Sequence, residues 1–428
     1  MDSPSAPQRS YPPQSARFYA ALSIYWFALS FLWAGMITIV IQTMVEEMAG
    51  ARKDLVLGWA LGAGALVSTV AVLVAGAFSD RSRSPMGRRR PFIVAGTLCA
   101  VPPLLWLGHV RSLPALFAAF CLVQWWVNLG TSPYQALVPD LVPKARQGAA
   151  SAYLGMGSLL GQMGGLVLCS ALIGQPGGRV TIMRVLAAVL VAAMAYTVLR
   201  IREERPDASP PRLSPAGAMR EAFRVSPRAY PDFFRLIASR FFVNLGFYTA
   251  STFLLYYVSD TLQVPDPERA VTALFLVSTV AALAGNFPAG MLSDRMSKKS
   301  VLYVSAALTA AGVMVFLLTG SMTVALGAAV LFGAGFGAFA AVDWALATNL
   351  LPERDEAKYM GVWHIAFNAP QVIAPLIGGG VAYYFNRHPP AFGGPGFGYR
   401  AALLLVVAYF AIGVWLVRPI REHENPAD

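Results

Sequence analysis

Two stretches of the chain carry one pattern, Ala75-Gly76-Ala77-Phe78-Ser79-Asp80-Arg81 and Ala289-Gly290-Met291-Leu292-Ser293-Asp294-Arg295. The second stretch begins 214 residues after the first. Each follows the second long apolar run of its half of the chain, and each leads into a short basic loop. A pattern that returns at the same place in each half indicates an internal repeat, so the sequence predicts two structurally similar halves.

Two more landmarks support the repeat. Pro143 matches Pro352 and Gln162 matches Gln371, and the residues of both pairs are 209 positions apart. This offset is shorter than that of the first pattern, and one deletion in the basic loop of the second half explains the difference. Two landmarks that share one offset argue against a chance match.

The composition indicates a protein that is surrounded mostly by lipid. Of the 428 residues, 56% are hydrophobic and 13% are charged, and the mean hydropathy is +0.55. A soluble domain carries about 25% charged residues, and a disordered chain needs a low hydrophobicity that this chain does not have. The net charge of +11 does not indicate nucleic-acid binding, because the basic residues lie in short loops between apolar runs.

Twelve apolar runs are long enough to cross a membrane, since a spanning helix needs about 20 mostly apolar residues. In chain order, these spans are 18–43, 55–78, 91–110, 113–138, 148–174, 180–199, 233–258, 269–291, 301–319, 322–349, 359–384 and 399–418. The sequence therefore predicts an all-α membrane protein with twelve transmembrane helices in two six-helix bundles.

The segment 200–232 differs from the spans around it, because it is rich in proline and arginine. Its arginines are Arg200, Arg202, Arg205, Arg212, Arg220, Arg224 and Arg228. We interpret it as a cytoplasmic linker between an N-terminal bundle, 1–199, and a C-terminal bundle, 233–428.

The loop charges also predict the orientation. Lysine and arginine accumulate in cytoplasmic loops, and the linker and the basic loop at residues 81–90 would both lie on the side that holds the two termini. We therefore expect a multi-pass protein of the plasma (inner) membrane with both termini in the cytoplasm. Contacts of these basic residues with lipid headgroups are expected.

The basic loop also carries a family resemblance. The pattern Gly-x-x-x-Asp-Arg, followed by basic residues, resembles the loop motif of the major facilitator superfamily. The longer string from Ser79 through Gly87-Arg88-Arg89-Arg90-Pro91-Phe92-Ile93 resembles the glycoside–pentoside–hexuronide cation symporters and the sucrose transporters, and so does Pro133-Tyr134-Gln135-Ala136-Leu137-Val138-Pro139-Asp140-Leu141. The resemblance implies the facilitator fold and a secondary transporter that works by alternating access.

One position departs from the sugar-transporter pattern. Plant sucrose carriers have a membrane-embedded aspartate in the fourth helix that is linked to protonation. An alignment through Pro133 and Leu141 places Gln124 at that position. The usual proton site of these carriers is therefore in doubt for this chain.

Charged residues of the two repeated loops form a predicted cytoplasmic gate, in which ion pairs close the inner side in one state and break in the other. The gate candidates are Asp80, Arg81, Arg88, Arg89, Arg90, Asp294 and Arg295. The alternative is that these charges only anchor the topology and contact lipid headgroups.

Asp343 is the one carboxylate well inside a predicted span, and ionisable residues within a membrane are functional candidates. It lies about 10 Å from the cytoplasmic end of span 10, at 1.5 Å per residue. Arg240 of span 7 lies at a similar depth, and the resemblance places spans 1, 4, 7 and 10 around the cavity. We expect the two side chains to meet as a coupling pair. The alternative is a static pair that joins the two helices.

Amide and indole side chains in the spans are candidates for substrate binding. Amides both donate to and accept from hydroxyl groups, and an indole ring stacks on the apolar face of a sugar. The candidates are Trp26, Gln124, Asn128, Gln135, Asn244, Trp344, Asn368 and Gln371. For any one amide, hydrogen bonding between helices is the favoured explanation, whereas the set as a whole favours a polar cavity.

Together these features favour a cation-coupled importer of a sugar or glycoside, with a proton or sodium ion as the coupling ion and a monomer as the working unit. The alternatives are an exporter of small amphipathic compounds and an uncoupled facilitator. No nucleophile–base arrangement, ATP-binding motif or cluster of metal ligands stands out. We therefore expect no enzyme activity, catalytic residues, cofactor or metal, and no nucleic-acid partner.

Overall fold

The computed structural model describes residues 15–79, 82, 84–143, 146–201, 203, 227–293, 296–350, 356–389, 394 and 396–420. Its first half contains seven α-helices. They are α1 Ala16–Gly35, α2 Ile41–Ala49, α3 Lys53–Ser79, α4 Arg90–Leu107, α5 Leu113–Leu141, α6 Gln147–Leu172 and α7 Gly178–Arg200. A π-helical turn, Met36–Val40, joins α1 to α2 without a break.

The second half also contains seven α-helices. They are α8 Pro231–Thr252, α9 Leu254–Tyr256, α10 Pro267–Ser293, α11 Lys298–Leu318, α12 Met322–Leu350, α13 Glu356–Arg387 and α14 Phe397–Val417. A second π-helical turn, Tyr257–Thr261, follows α9. The axis bends by 46° between α8 and the segment Leu254–Thr261.

The predicted all-α membrane fold is confirmed. In the described part of the chain, nine helical segments are long and apolar enough to cross a membrane, or ten with the bent pair that starts at α8. The first of these segments, Ala16–Gly76, is 61 residues long, which is enough for two spans at about 20 residues each. Each of the twelve predicted spans coincides with helix, while the count of twelve crossings stays a prediction.

The repeat of the sequence has a counterpart in the helix starts. The first residues of α3 and α10, Lys53 and Pro267, are 214 positions apart. The first residues of α5 and α12, Leu113 and Met322, are 209 positions apart. These are the two offsets of the sequence motifs, so the duplication extends to the positions of these helices.

The chain forms two compact units whose borders fall inside helices. One unit consists of residues 1–37 and 67–211, and the other of residues 38–66 and 212–428. Residues 38–43 and 55–66 of the first two predicted spans therefore belong to the same unit as the second half. The division into bundles 1–199 and 233–428 stays a prediction about the chain.

Glycines of α6 allow unusually close packing against α1. An added Cβ at Gly161 would meet the backbone carbonyl oxygen of Phe27, and one at Gly165 would meet that of Phe31. The glycines are spaced four residues apart, as are the carbonyls, so both series lie along one helix face. Small residues that let backbones approach are typical of helix packing in membranes.

The second unit uses the same device between α10 and α12. A Cβ at Gly333 would meet the carbonyl oxygen of Ser278, and one at Gly337 would meet that of Ala282. Around this contact, buried apolar side chains such as Val342 and Leu346 form the core with residues of α8 and α14. The close backbone contacts fix the position of α12, which carries Asp343.

Candidate functional site

An ion pair joins α8 to α12 inside the second unit. Nη1 of Arg240 donates to Oδ2 of Asp343. The Asp343 side chain is 1% exposed, whereas that of Arg240 is 18% exposed. The other carboxylate oxygen, Oδ1, is buried and has no hydrogen-bond partner among the described residues. The arginine thus connects a fully buried charge to a partly exposed position of the second unit.

Polar and aromatic side chains surround this pair. The side-chain amide of Asn244, one helical turn after Arg240, donates to the Arg240 carbonyl oxygen at 2.9 Å. The side chains of Tyr248 and Gln371 are hydrogen-bonded to each other. The guanidinium carbon of Arg240 lies 6.0 Å from the ring centroid of Phe367. Helices α8 and α13 therefore bring an amide, a phenol and an aromatic ring close to the pair.

Three phenylalanine rings form a stack between α8 and α12. The ring centroids of Phe247 and Phe336 are 4.5 Å apart, with an interplanar angle of 17°. Phe332 continues the stack at 6.1 Å from Phe336. These residues were not among the predicted site residues. Their spacing on α12, four residues apart, was a readable signal of one aromatic face.

The first unit holds a smaller polar group on α5. The side-chain amide of Asn128 donates to the carbonyl oxygen of Gln124 at 2.8 Å and to its Oε1 at 3.1 Å. Gln124 is buried. These hydrogen bonds are within one helix, so the interhelical explanation does not describe them.

Trp26 stacks on a tyrosine that anchors α1 to α5. Its ring centroid lies 5.9 Å from that of Tyr134, with an interplanar angle of 17°. The Tyr134 hydroxyl donates to the carbonyl oxygen of Leu22, and Tyr25 is hydrogen-bonded to Thr97 at 2.8 Å. A tyrosine–threonine network therefore holds the indole in place.

The remaining substrate candidates are distributed differently. Gln135 and Asn368 are exposed, and Gln371 is half-buried beside Tyr248. The side chain of Trp344 lies outside the described residues. The described candidates thus form one group near Arg240 and another on α1 and α5, each within its own unit, and their roles in binding stay predictions.

The basic loop before α4 is held by a carboxylate that the sequence analysis missed. Glu203 accepts hydrogen bonds from the backbone N–H groups of Arg88, Arg89 and Arg90, at distances of 2.8 to 3.1 Å. These N–H groups are at the start of α4, where a helix has unpaired donors and favours a negative charge. Glu203 follows α7 and was read only as part of the linker.

A second missed carboxylate binds the side chains of the same loop. Arg88 and Arg89 both donate to Oδ2 of Asp140, at 3.3 and 3.1 Å. Arg89 also donates to the Ser79 hydroxyl at 2.7 Å. Asp140 had been noted only for the family string that contains it. The predicted gate residues Asp80, Arg81, Asp294 and Arg295 lie outside the described residues, so the gate stays a prediction.

Comparison with known proteins places the chain among transporters. A family model described as "MFS/sugar transport protein" matches residues 25–387. The multi-drug resistance efflux pump PmrA of Streptococcus pneumoniae is 25% identical over 86% of this chain and 90% of its own length. An uncharacterised MFS-type transporter of Methanocaldococcus jannaschii is 23% identical over 80% of this chain and 83% of its own.

Solved structures share the fold. A bacterial homologue of the human lysosomal transporter Spinster, in an inward-facing and unoccupied conformation, matches with a TM-score of 0.76 at 17% identity. It covers 97% of this chain and 100% of its own. A mutant of the nucleoside transporter NupG matches with a TM-score of 0.75 at 10% identity, over 95% of this chain and 100% of its own. At identities this low, the likeness shows the fold alone.

Proposed function

The chain belongs to the MFS/sugar transport protein family, as its motifs indicated, and we propose that it moves a sugar or glycoside by proton-coupled alternating access. The family makes the chain a multi-pass membrane transporter rather than an enzyme. The substrate, the coupling ion and the direction of transport are the proposed part.

The observation that carries the proposal is the Arg240–Asp343 pair. A buried carboxylate that keeps one oxygen without a partner is costly in a membrane interior. Such a group is suited to take a proton or to accept from a ligand hydroxyl. The partly exposed arginine beside it has five N–H donors, and a sugar offers many oxygen acceptors. The neighbouring Gln371 amide adds both a donor and an acceptor.

A coupling step follows from the charges. While Asp343 is ionised, its charge holds the Arg240 guanidinium. Protonation of Asp343 removes that charge, so the guanidinium is released to donate to substrate hydroxyls. Substrate binding then favours the protonated form, because the coupling between two ligands is reciprocal. In this mechanism, Asp343 takes the role of the carboxylate that sugar carriers have at the position of Gln124.

In the proposed transport cycle, the basic loop at residues 81–90 would close the cytoplasmic ends of the helices. Asp140 and Glu203 already bind Arg88, Arg89 and the start of α4 within the first unit. We propose that these contacts hold the loop in one conformation, as its role in the gate requires.

Counterflow in proteoliposomes tests the function. Liposomes loaded with one unlabelled sugar from a panel would take up the labelled sugar transiently above equilibrium if that sugar is a substrate. A pH gradient, acidic outside, should then drive net accumulation. Failure of every sugar and glycoside in counterflow would contradict the substrate class, and accumulation indifferent to pH but dependent on sodium would replace the coupling ion.

Export of small amphipathic compounds is the second candidate. The stack of Phe247, Phe332 and Phe336 offers an apolar surface for such compounds, and relatives named as efflux pumps cover most of the chain. Competition between labelled lipophilic cations and sugars for the reconstituted protein separates the two functions. Binding of the cations without competition by sugars would favour export.

A further inference from the structure

The second unit holds another group of polar side chains, which is buried at Asp54 and Tyr399 and partly exposed at Glu46 and Asp260. We call it the outer cluster, because the predicted topology places it at the non-cytoplasmic side. It consists of Glu46 on α2, Lys53 and Asp54 at the start of α3, Asp260 after α9, Asn386 on α13 and Tyr399 on α14. Neither the sequence motifs nor the proposed transport step uses these residues.

Lys53 holds one side of the outer cluster. Its Nζ binds Oε1 of Glu46 at 2.5 Å and Oδ2 of Asp260 at 2.8 Å. The same ammonium lies 4.5 Å from the ring centroid of Tyr256. The Lys53 side chain is only 13% exposed, so this one cation compensates two carboxylates in a largely buried place.

Asp54 holds the other side and has no cation of its own among its hydrogen bonds. It is 3% exposed. The Asn386 side-chain amide donates to its Oδ2 at 2.9 Å, and the amide of Asn386 is in turn fixed because its oxygen accepts from Gly398 N at 2.8 Å. Burial disfavours the ionised form of this carboxylate, while Lys53 acts on it electrostatically without a hydrogen bond.

The Tyr399 hydroxyl connects the two sides. Its oxygen lies 2.7 Å from Oδ1 of Asp54 and 2.9 Å from Oδ2 of Asp260. A hydroxyl has one hydrogen to donate. Two ionised carboxylates at these distances would therefore leave one oxygen–oxygen contact without a proton, which is repulsive. A proton on Asp54 resolves this, since Asp54 then donates to Tyr399 and Tyr399 donates to Asp260.

The contacts of the outer cluster join parts that are distant in sequence. Residues 38–66 belong to the second unit although they precede its main body by more than a hundred positions. Besides the cluster, the Tyr256 hydroxyl donates to the carbonyl oxygen of Gln42 at 2.8 Å. The π-helical turn Met36–Val40 lies where the border crosses the first span, and π-helical turns within α-helices are frequent at functional sites.

We propose that the outer cluster is a proton-dependent lock, in which one proton shared through Asp54, Tyr399 and Asp260 holds residues 38–66 against α13 and α14. When this segment separates, Asp54 and Asp260 part and Asp54 ionises in water. The locked form therefore contains one proton more than the open form. This lock is separate from the proposed coupling at Asp343 and does not depend on the identity of the substrate.

The direction of the pH effect follows from this difference. A form that binds more protons is favoured at low pH, so acid locks the segment and alkali releases it. A difference of one proton changes the ratio of locked to open molecules by at most about tenfold per pH unit. The Lys53–Glu46 pair lies within the segment 38–66 and is intact in both forms, so it adds nothing to this difference. Arg400, next to Tyr399, acts electrostatically on Tyr257 and is not among the contacts of the two aspartates.

Thiol labelling of Val45→Cys measures the release. Val45 precedes Glu46 and is fully buried, so its replacement reacts with a membrane-impermeant maleimide only when the segment separates. The native Cys99, Cys121 and Cys169 are first replaced by alanine. Rates are measured from about pH 5.5 to about pH 8.5 and divided by those of the denatured protein at the same pH, because thiolate content itself rises with pH.

Three variants distinguish the lock from a general loss of stability. In the parent protein, the normalised rate should rise with pH by up to about tenfold per unit. Asp54→Asn, a neutral mimic of the protonated acid, should give a low rate at every pH. Tyr399→Phe, which removes the shared hydroxyl, should give a high rate at every pH. Asp266→Asn, in an exposed pair with Arg269, should behave as the parent.

Two results would overturn the proposal: a parent rate that does not change with pH, or an Asp54→Asn rate that rises with pH as the parent rate does. If Asp54→Asn does not fold, Asp260→Asn replaces it. One ionised carboxylate then suffices to accept from Tyr399, so the labelling rate should again lose its pH dependence. No substrate enters these measurements, so their failure is distinct from failure of the sugar-transport proposal.

Discussion

Asp343 combines three properties at a single residue: complete burial, one ion-pair partner and one oxygen without a partner among the described residues. If transport is proton-driven, Asp343→Asn should abolish accumulation against a gradient and retain exchange, because exchange needs no net proton movement. Arg240→Ala should impair both, since it leaves a buried carboxylate without its cation, at a cost of about 3–5 kcal/mol in stability. Counterflow and pH-driven uptake in proteoliposomes measure the two activities separately.

The matched control is Asp232→Asn. Asp232 also pairs with an arginine on α8, Arg235 at 2.7 Å, but that arginine is largely exposed. Loss of this surface pair should change accumulation little, as exposed pairs contribute about 0–1 kcal/mol. Wild-type accumulation by Asp343→Asn would refute the coupling role and leave the Arg240–Asp343 pair as a joint between helices.

The depth of Arg240 and Asp343 within their predicted spans was enough to expect that they meet, because a charge within a span needs a partner at the same height. Depth gave no indication of the contacts of Glu203 or Tyr399. Glu203 binds backbone N–H groups more than a hundred positions earlier, and backbone groups carry no residue-specific signal. Tyr399 acts through one hydroxyl at the start of a span, where a tyrosine is also expected as an interfacial residue.

The Glu203 carboxylate should stabilise the start of helix α4. Its carboxylate accepts from the first backbone N–H groups of α4, so Glu203→Ala should destabilise the protein by about 2 kcal/mol, the value for hydrogen bonds to a charged group. Glu203→Gln keeps an acceptor oxygen and should lose about half of that. Thermal unfolding in detergent measures both. Asp266→Asn, which removes only an exposed ion pair with Arg269, is the control and should change the unfolding temperature little.

The packing of α6 against α1 gives a second prediction for an element. Gly165→Ala should lower stability by about 1–3 kcal/mol, because the added Cβ meets the Phe31 carbonyl and the backbone has to move. Gly155 of the same helix has open space around it, so Gly155→Ala should raise stability by up to about 1 kcal/mol through helix propensity. Equal unfolding temperatures for the two variants would contradict the close contact.

Helix positions were predictable because apolar length is set by the bilayer. The interruptions were not. The predicted span 233–258 contains a bend after Thr252, and the span 18–43 contains the π-helical turn Met36–Val40. Each segment is one continuous, mostly apolar run, so hydropathy gives no sign of a change in backbone geometry. Their positions depend on packing with residues that are distant in the chain.

Substrate binding should raise the stability of the folded transporter as a whole. A ligand that binds only the folded protein stabilises it by about 2.7 kcal/mol at one hundred times its dissociation constant. We therefore expect a saccharide to raise the unfolding temperature of the detergent-solubilised transporter. A control with an osmolyte that is not a carbohydrate or polyol, at the same osmolality, separates binding from solvent effects. If lipophilic cations raise this temperature and no saccharide does, export becomes the better function.

The duplicated helices α5 and α12 have a further consequence for the whole molecule. At 29 residues each, they are about 43 Å long, whereas the hydrocarbon core of a bilayer is about 30 Å thick. Tilting alone would have to reach about 45°, well beyond the mean of about 20°. Part of each helix therefore projects into the headgroup region. Because both helices exceed the thickness of the hydrocarbon core, a change in acyl-chain length should act on the two halves of this transporter alike.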